Sequence, residues 1–435
     1  MTVSRPSRRS FLAALGGASA ASILPGFLRA EDRLTTELQR LAETPVLPDG
    51  AELRDLYLLG PEVVYLNHAS IGTMPRAVRD ARDRYVDLCE TNPWLYMWSG
   101  AWDEGRASAR ASVAALMGAS PERVALTHNT TEGFNVLARG PEPGGRPLGP
   151  GDEVLFSSLN HDGASIAWRD EARRRGFGVR SFRFPHADAP GLSAGEVAEL
   201  HLREIRPETR VLVLPHVDNV VGIRHPVAAL AEGAHARGVE VVAVDGAQTV
   251  GMLPLDVEGS GVDAYAGSPH KWVQSPKGLG VLWLSPALQP HVQPLWVTWG
   301  QERWEGTIRV FEDYGTRNLP EVLALGDAAD FQQALGMAEK VRRLRRLRGR
   351  LKDRVDGSAR LEWRSPRRWE DGASLMAVHL RDREAPAVAA WLYREAGIVV
   401  RAFGGPDTNH LRVSPNIMTS DAEIDRFVTL LESAP

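Results

Sequence analysis

Val239-Glu240-Val241-Val242-Ala243-Val244, followed at once by Asp245-Gly246-Ala247-Gln248, is an apolar run between Gly238 and a polar cluster. A run of that length and composition reads as a strand buried on both faces. Val124–Thr127, Glu153–Ser157 and Arg210–Pro215 have the same form. Helical patterns stand between them, including Ala101–Met117 and Ala164–Arg175. Alternation of this kind predicts an α/β domain with a mostly parallel sheet and helices on both faces. Such sheets bind ligands at the carboxyl ends of their strands. Polar clusters sit at those ends here: His128-Asn129-Thr130-Thr131, His161, His216 to Asn219, and Asp245 to Gln248.

Outward from Asp245, the next chemistry is Ser268-Pro269-His270-Lys271, then Gly278, Gly280 and a strand-like Val281–Leu284. Alone, Asp245 would be a strand-end cap and Lys271 a surface lysine. Together, 26 residues apart with Gln248, Ser268 and His270 between them, they favour a pyridoxal-phosphate site. That cofactor needs a lysine to form a Schiff base with its aldehyde. It also needs a carboxylate that keeps its ring nitrogen protonated. A buried aspartate in turn needs a cationic partner, which a pyridinium supplies. Ser268 and His270 are candidates to hold phosphate oxygens and orient Lys271. His216, Asp218, His225 and Asp245 have metal-ligand chemistry, but neither HExxH nor paired CxxC spacing occurs, so no metal is expected.

The chain resembles the class V aminotransferase family of pyridoxal-phosphate enzymes, most closely its isopenicillin N epimerase-like and cysteine desulfurase-like branches, over roughly residues 60 to 433. Tyr65-Leu66-Asn67-His68-Ala69-Ser70 resembles the family's opening segment, and Asn67 is carried over as a substrate contact. Thr127–Gly133 (THNTTEG) resembles its phosphate loop, which implies phosphate binding by Thr130 and Thr131. A helix N-terminus there favours an anion on its own account. Asn160-His161, with Trp168 seven residues on, implies that His161 stacks on the cofactor ring. His216-Val217-Asp218-Asn219-Val220-Val221-Gly222 implies Asn219 near the phenolic oxygen, with Gln248 beside it. Gly315-Thr316-Arg317-Asn318 resembles a stretch that crosses a dimer interface, so Thr316 is expected to touch a neighbouring subunit's cofactor phosphate. Leu411-Arg412-Val413-Ser414 implies that Arg412 clamps the substrate α-carboxylate, a group a guanidinium pairs with bidentately. Cysteine desulfurases carry a nucleophilic cysteine on the loop before that arginine. Ala402–His410 holds none, so a persulfide mechanism is not expected.

The resemblance implies the aspartate aminotransferase-like fold: a large cofactor-binding domain over residues 76–315 and a smaller α+β C-terminal domain over 316–435. Residues 31–75 are expected to pack with the smaller domain. Leu375–Leu380, Ile398–Ala402 and Leu411–Ser414 read as its strands. Expected chemistry is at Cα of an amino acid or an amino-bearing peptide or secondary metabolite. Transamination, epimerisation and C–S β-elimination all start from proton removal there, and the sequence does not choose among them. A rival of another class is a non-catalytic exported binding protein on the same fold, against which the intact Lys271, Asp245 and Arg412 argue.

The remaining features set the context. At 435 residues the chain exceeds one small domain. Its net charge of −4 gives no nucleic-acid footprint. The basic run Lys340–Arg354 carries Val341, Leu344, Leu347 and Leu351 at helical spacing, and reads as a helix with a solvated basic face. The one cysteine, Cys89, cannot form an internal disulfide, and shares a helical face with Tyr85 and Leu88. Ser7-Arg8-Arg9-Ser10-Phe11-Leu12 is a twin-arginine pattern, with a weakly apolar stretch after it and Ala30 before Glu31. Residues 1–30 therefore read as a signal recognised by the twin-arginine export machinery and cleaved near Ala30. A soluble periplasmic homodimer without stable membrane association is the expected mature form.

Overall fold

The computed structural model describes residues 28–435, apart from 45, 46, 49, 141, 143, 144, 406 and 407. The twin-arginine pattern and the apolar stretch up to residue 27 lie outside the described residues. The first described helix, Leu28–Glu43, runs across the expected cleavage position.

Thirteen strands are described: β1 Val64–Tyr65, β2 Val124–Thr127, β3 Glu153–Ser157, β4 Gly178–Phe182, β5 Thr209–Pro215, β6 Val241–Asp245, β7 Ala264–Gly267, β8 Gly280–Leu284, β9 Leu361–Trp363, β10 Met376–Leu380, β11 Ile398–Val399, β12 Arg401–Phe403 and β13 His410–Val413. β2 to β8 form one seven-stranded sheet in the order β2-β8-β7-β6-β5-β3-β4. Only β8 runs against its neighbours, so the sheet is mostly parallel. Helices Thr130–Arg139, Asp162–Arg175, Ala194–Leu202 and Val227–His235 connect successive strands from β2 to β6. β5 and β6 are buried at every residue, as their apolar runs require when both faces are covered. β7 reads poorly as a strand because Ala264, Ala266 and Gly267 are small. The sheet needs them small: a Cβ on Gly267 would lie 2.9 Å from Val250 Cγ2.

The C-terminal part carries a second, antiparallel sheet, β12-β13-β10-β9. Helices Met337–Asp356, Ala385–Ala396 and Asp421–Ser433 accompany it, and Leu347, Leu351, Val388, Leu392, Phe427 and Leu431 join its core. The run Ile398–Ala402 breaks into two strands. β11 pairs in parallel with β1, and β12 pairs with β13. The segment 31–75 divides likewise. Leu34, Leu38 and Leu41 enter the core of the large sheet, while β1 joins the C-terminal part through β11.

The basic helix needs a correction. Lys340, Arg343 and Arg348 are buried, not solvated. The Lys340 ammonium donates to Trp272 O (2.8 Å) and Gln332 Oε1 (2.6 Å). Arg343 donates to Thr419 O at 2.8 Å, and Arg348 donates to the Pro366 carbonyl. Three basic side chains thus tie the helix inward, because backbone carbonyls and an amide oxygen stand where water would. Arg342, Arg345, Arg346 and Arg350 keep the exposed face.

Candidate active site

Asp245 ends β6 and is 7% exposed. Its Oδ1 accepts from Ala247 N at 2.9 Å, which fixes the carboxylate at the strand terminus. The turn can be this tight because residue 246 is glycine: a Cβ there would lie 1.9 Å from the Tyr265 ring. Lys271 sits in the loop after β7. Among the described residues its amine has no hydrogen-bond partner. Its pKa falls from 10.5 to about 8: desolvation is the main cause, the charge of Asp245 opposes it, and Arg412 adds a smaller lowering. A neutral amine is thus accessible near physiological pH, which a Schiff-base lysine requires.

His161 caps the helix Asp162–Arg175, its Nδ1 accepting from Gly163 N at 3.0 Å. That bond places the proton of the neutral ring on Nε2. The side chain is exposed at the mouth of the site, yet neighbouring walls lower its pKa by desolvation. Lys271 and Arg412 act the same way, and Asp245 opposes them. His161, Lys271, Asp245 and Arg412 therefore share one electrostatic environment. Gly163 brings in a further residue: its Cβ position lies 2.6 Å from Thr131 Oγ1 and 3.1 Å from His161 Nδ1.

Thr130 opens the helix after β2, behind Asn129, whose side chain caps Glu132 N at 2.9 Å. Thr130 N donates to Ser268 Oγ at 3.1 Å, and the two hydroxyls lie 2.7 Å apart. Thr130, Thr131 and Ser268 thus form one hydroxyl-lined helix start, a ready anion site. His270 Nδ1 bonds Leu279 O at 3.3 Å, and burial lowers its pKa to about 4. In that tautomer Nε2 carries no proton, so donation to a phosphate oxygen requires a second proton. A phosphate dianion alongside favours one.

Arg412, on β13, is 3% exposed. Its Nη1 donates to Asn219 O at 3.0 Å, and its Nη2 to Asn67 Oδ1 at 3.1 Å and to Ser70 Oγ. Its Nε is buried without a partner. Desolvation, with Arg401 nearby, lowers its pKa to about 10. A desolvated guanidinium with an orphan donor fits a carboxylate ligand. Asn67, expected to touch substrate, accepts from Arg412 through Oδ1, and Asn219 does so through its backbone. Gln248 bonds Ala69 O through Nε2 and receives the Trp272 indole on Oε1, both at 2.9 Å. One Nε2 proton remains for a ligand. Asp218 and His216 have structural partners. Asp218 accepts from Val220, Val221 and Ile223 amides, and His216 Nδ1 pairs with the Tyr265 hydroxyl at 2.9 Å.

Thr316 does not join this set. It is exposed and lies on a different cavity, whose lining contains none of the residues above. Sequence reasoning missed four contributors. Ser70 holds Arg412. Gly72 lets its chain lie against the Lys271 loop, for a Cβ there would meet Lys271 O at 2.0 Å. Trp272 and Lys340 pin the same loop from beneath. Nothing in their spacing announces these roles, which arise from contacts across distant segments.

The aminotransferase class-V family matches residues 64–427. This chain belongs to the class V aminotransferase family. Its members are pyridoxal-phosphate enzymes, and pyridoxal phosphate is the cofactor of this chain. The unpartnered Lys271 amine, the buried Asp245 and the hydroxyl-lined helix start fit that group. The chain is 32% identical to isopenicillin N epimerase of Amycolatopsis lactamdurans, over 88% of this chain and 98% of that protein. It is 29% identical to cysteine desulfurase of Haloferax volcanii, over 86% and 89%. In fold it is similar to the cystine C–S lyase C-DES, with TM-score 0.75 and 22% identity over 85% of this chain and 97% of that one.

Proposed function

We propose that this class V enzyme acts at Cα of an amino acid or an amino-bearing peptide or secondary metabolite, as an epimerase or transaminase. The observation that carries the reading is the Lys271 amine, desolvated and without a hydrogen-bond partner, in one field with Asp245 and Arg412. Arg412 takes the substrate carboxylate through its free donors, with Asn67 and Ser70 holding the guanidinium in place. Bound pyridoxal phosphate supplies an electron sink for the charge left at Cα when a bond there breaks. Asp245 keeps the ring nitrogen protonated. Thr130, Thr131 and Ser268 would hold the phosphate, and Asn219 and Gln248 would serve the phenolic oxygen. Lys271 would hold the cofactor through its amine and, with that amine free, would take or return the proton at Cα. His161 is unprotonated near neutral pH and serves the opposite face, which epimerisation requires.

The 32% identity to isopenicillin N epimerase supports the epimerase form. A C–S lyase is the second reading, favoured by the likeness to C-DES and by the lack of cysteine in Ala402–His410. Export by the twin-arginine machinery, a periplasmic location, and a homodimer in which Thr316 completes the neighbour's phosphate site belong to the same proposal. A panel of amino acids and amino-bearing peptides, followed by absorbance change and chiral product analysis, tests the reaction. A stereochemically inverted product supports epimerisation, a keto product transamination, and released sulfide the lyase. No spectral response from any amine would overturn all three. Cys89 is buried against Tyr96, Trp102, Leu319 and Leu323. Cys89→Ser should therefore leave turnover intact, whereas its loss with cofactor still bound would restore a cysteine-dependent mechanism.

A further inference from the structure

Residues 217–225, the loop after β5, face two ways at once. The side chains of Val221 and Ile223 enter the core of the large sheet. The carbonyls of Asn219, Val220 and Val221 turn instead to the C-terminal part. Arg412 Nη1 donates to Asn219 O at 3.0 Å, His410 Nε2 lies 3.0 Å from Val220 O, and Ser365 Oγ donates to Val221 O at 2.6 Å. Three consecutive carbonyls are thus met by three side chains from beyond residue 360. A loop buried between two cores needs such partners, because water does not reach its polar groups.

The match is built from both sides. On the loop, the fully buried Asp218 carboxylate accepts from the amides of Val220, Val221 and Ile223, which fixes the backbone that carries the three carbonyls. Gly222, at φ +77°, lets this turn press against the C-terminal part: a Cβ there would lie 2.1 Å from Leu375 O. Opposite, His410 and Arg412 stand two apart on β13 and so share a face. The Phe403 ring stacks on His410 with centroids 5.0 Å apart and lies 5.8 Å from the Arg412 guanidinium. Ser365 Oγ accepts from Ala377 N of β10 at 2.8 Å, which leaves its proton for Val221 O. His410 Nδ1 lies 2.8 Å from Thr408 O. Burial lowers the pKa of this ring to about 4, so near neutral pH one proton serves the carbonyls of Thr408 and Val220.

We propose that Ser365 and His410 are positioning residues: through Val221 O and Val220 O they fix the Asn219 carbonyl, and that carbonyl sets where Arg412 presents its free donors to a substrate carboxylate. The inference rests on the proposed role of Arg412 as partner of that carboxylate. Ser365 and His410 are both buried and act through the loop.

Absorbance titration of the holoenzyme with L-alanine, and with ethylamine, which lacks the carboxylate, tests it. The unaltered enzyme should favour alanine about tenfold or more, the scale of a charge-assisted hydrogen bond. Ser365→Ala and His410→Leu should each cut that preference about threefold or more and leave the ethylamine affinity within about twofold. His410→Gln, which keeps an N–H, should retain most of the preference. The ratio of the two affinities is the readout: general loosening would lower the melting temperature and weaken both amines alike. Equal affinities in the unaltered enzyme, or no response to either amine, would remove Arg412 from the carboxylate, and the inference would fall with that role. A preference that Arg412→Gln abolishes, but that Ser365→Ala and His410→Leu both keep, would leave Arg412 in its role and overturn the inference alone.

Discussion

Lys271, partly exposed, and Lys340, fully buried, are both desolvated amines beside Trp272, and the fold treats them in opposite ways. Lys340 is fully buried and donates to two oxygens, Trp272 O and Gln332 Oε1. Gln332 passes the connection on to Val273 O at 3.0 Å and to Gln274, which also receives the Tyr57 hydroxyl at 2.9 Å. Lys271 has a carboxylate and a guanidinium in its field but no hydrogen bond. One desolvated amine is satisfied and holds a loop. The other is left unsatisfied on that loop, with its pKa lowered into the range where it can react. The difference teaches where chemistry resides: here the desolvated amine without a partner is the one placed to react, and the satisfied one supports the scaffold.

Replacing Lys271 separates the two lysines most sharply. Lys271→Ala should abolish turnover and the visible absorbance of lysine-bound cofactor while leaving the far-ultraviolet circular dichroism unchanged. Asp245→Asn comes next. Without a charged partner for the ring nitrogen, kcat should fall about a hundredfold or more, measured by steady-state kinetics on the holoenzyme. Near-normal turnover would remove Asp245 from its role.

The lowered pKa of Lys271 makes a prediction in pH. Only the neutral amine attacks an aldehyde, so cofactor uptake by the apoenzyme should rise with pH and level off above about 8. Below that value the rate should fall about tenfold per pH unit. A plateau reached only near the ordinary lysine value of 10.5 would place the amine in water. In Lys340→Met the sign differs. Burial lowers the Lys340 pKa to about 7, so at pH 8 the amine is mostly neutral and its removal recovers little charge penalty. Its two acceptors lose their donor, and stability should drop by about 1–3 kcal/mol in urea titration. Turnover should fall by less than tenfold, since the reacting amine itself remains. A loss of activity matching Lys271→Ala would collapse the distinction between the two lysines.

Much of this was legible in the sequence, and the illegible part has a common cause. β2, β3, β5 and β6 show as apolar runs because both of their faces are covered. Asp245 and Lys271 show because carboxylate and amine stand at the ends of such runs. β7 hid because its packing demands alanine and glycine, which carry no strand preference. Lys340 read as solvated because helical spacing separates apolar from polar positions. It does not reveal that Trp272 O and Gln332, from other segments, wait on the polar side. Asn67 carried a substrate role by resemblance, and only the fold shows its oxygen turned to Arg412. Contacts between segments distant in sequence are what periodicity cannot carry.

The central claim is that Lys271, and no other amine, carries the cofactor. Borohydride reduction of the holoenzyme, proteolysis and mass spectrometry of the modified peptide test it directly. The account predicts a bleached protein with one cofactor mass per chain, confined to the peptide that contains Lys271. Cofactor fixed on Lys277, Lys340 or any other lysine would contradict it.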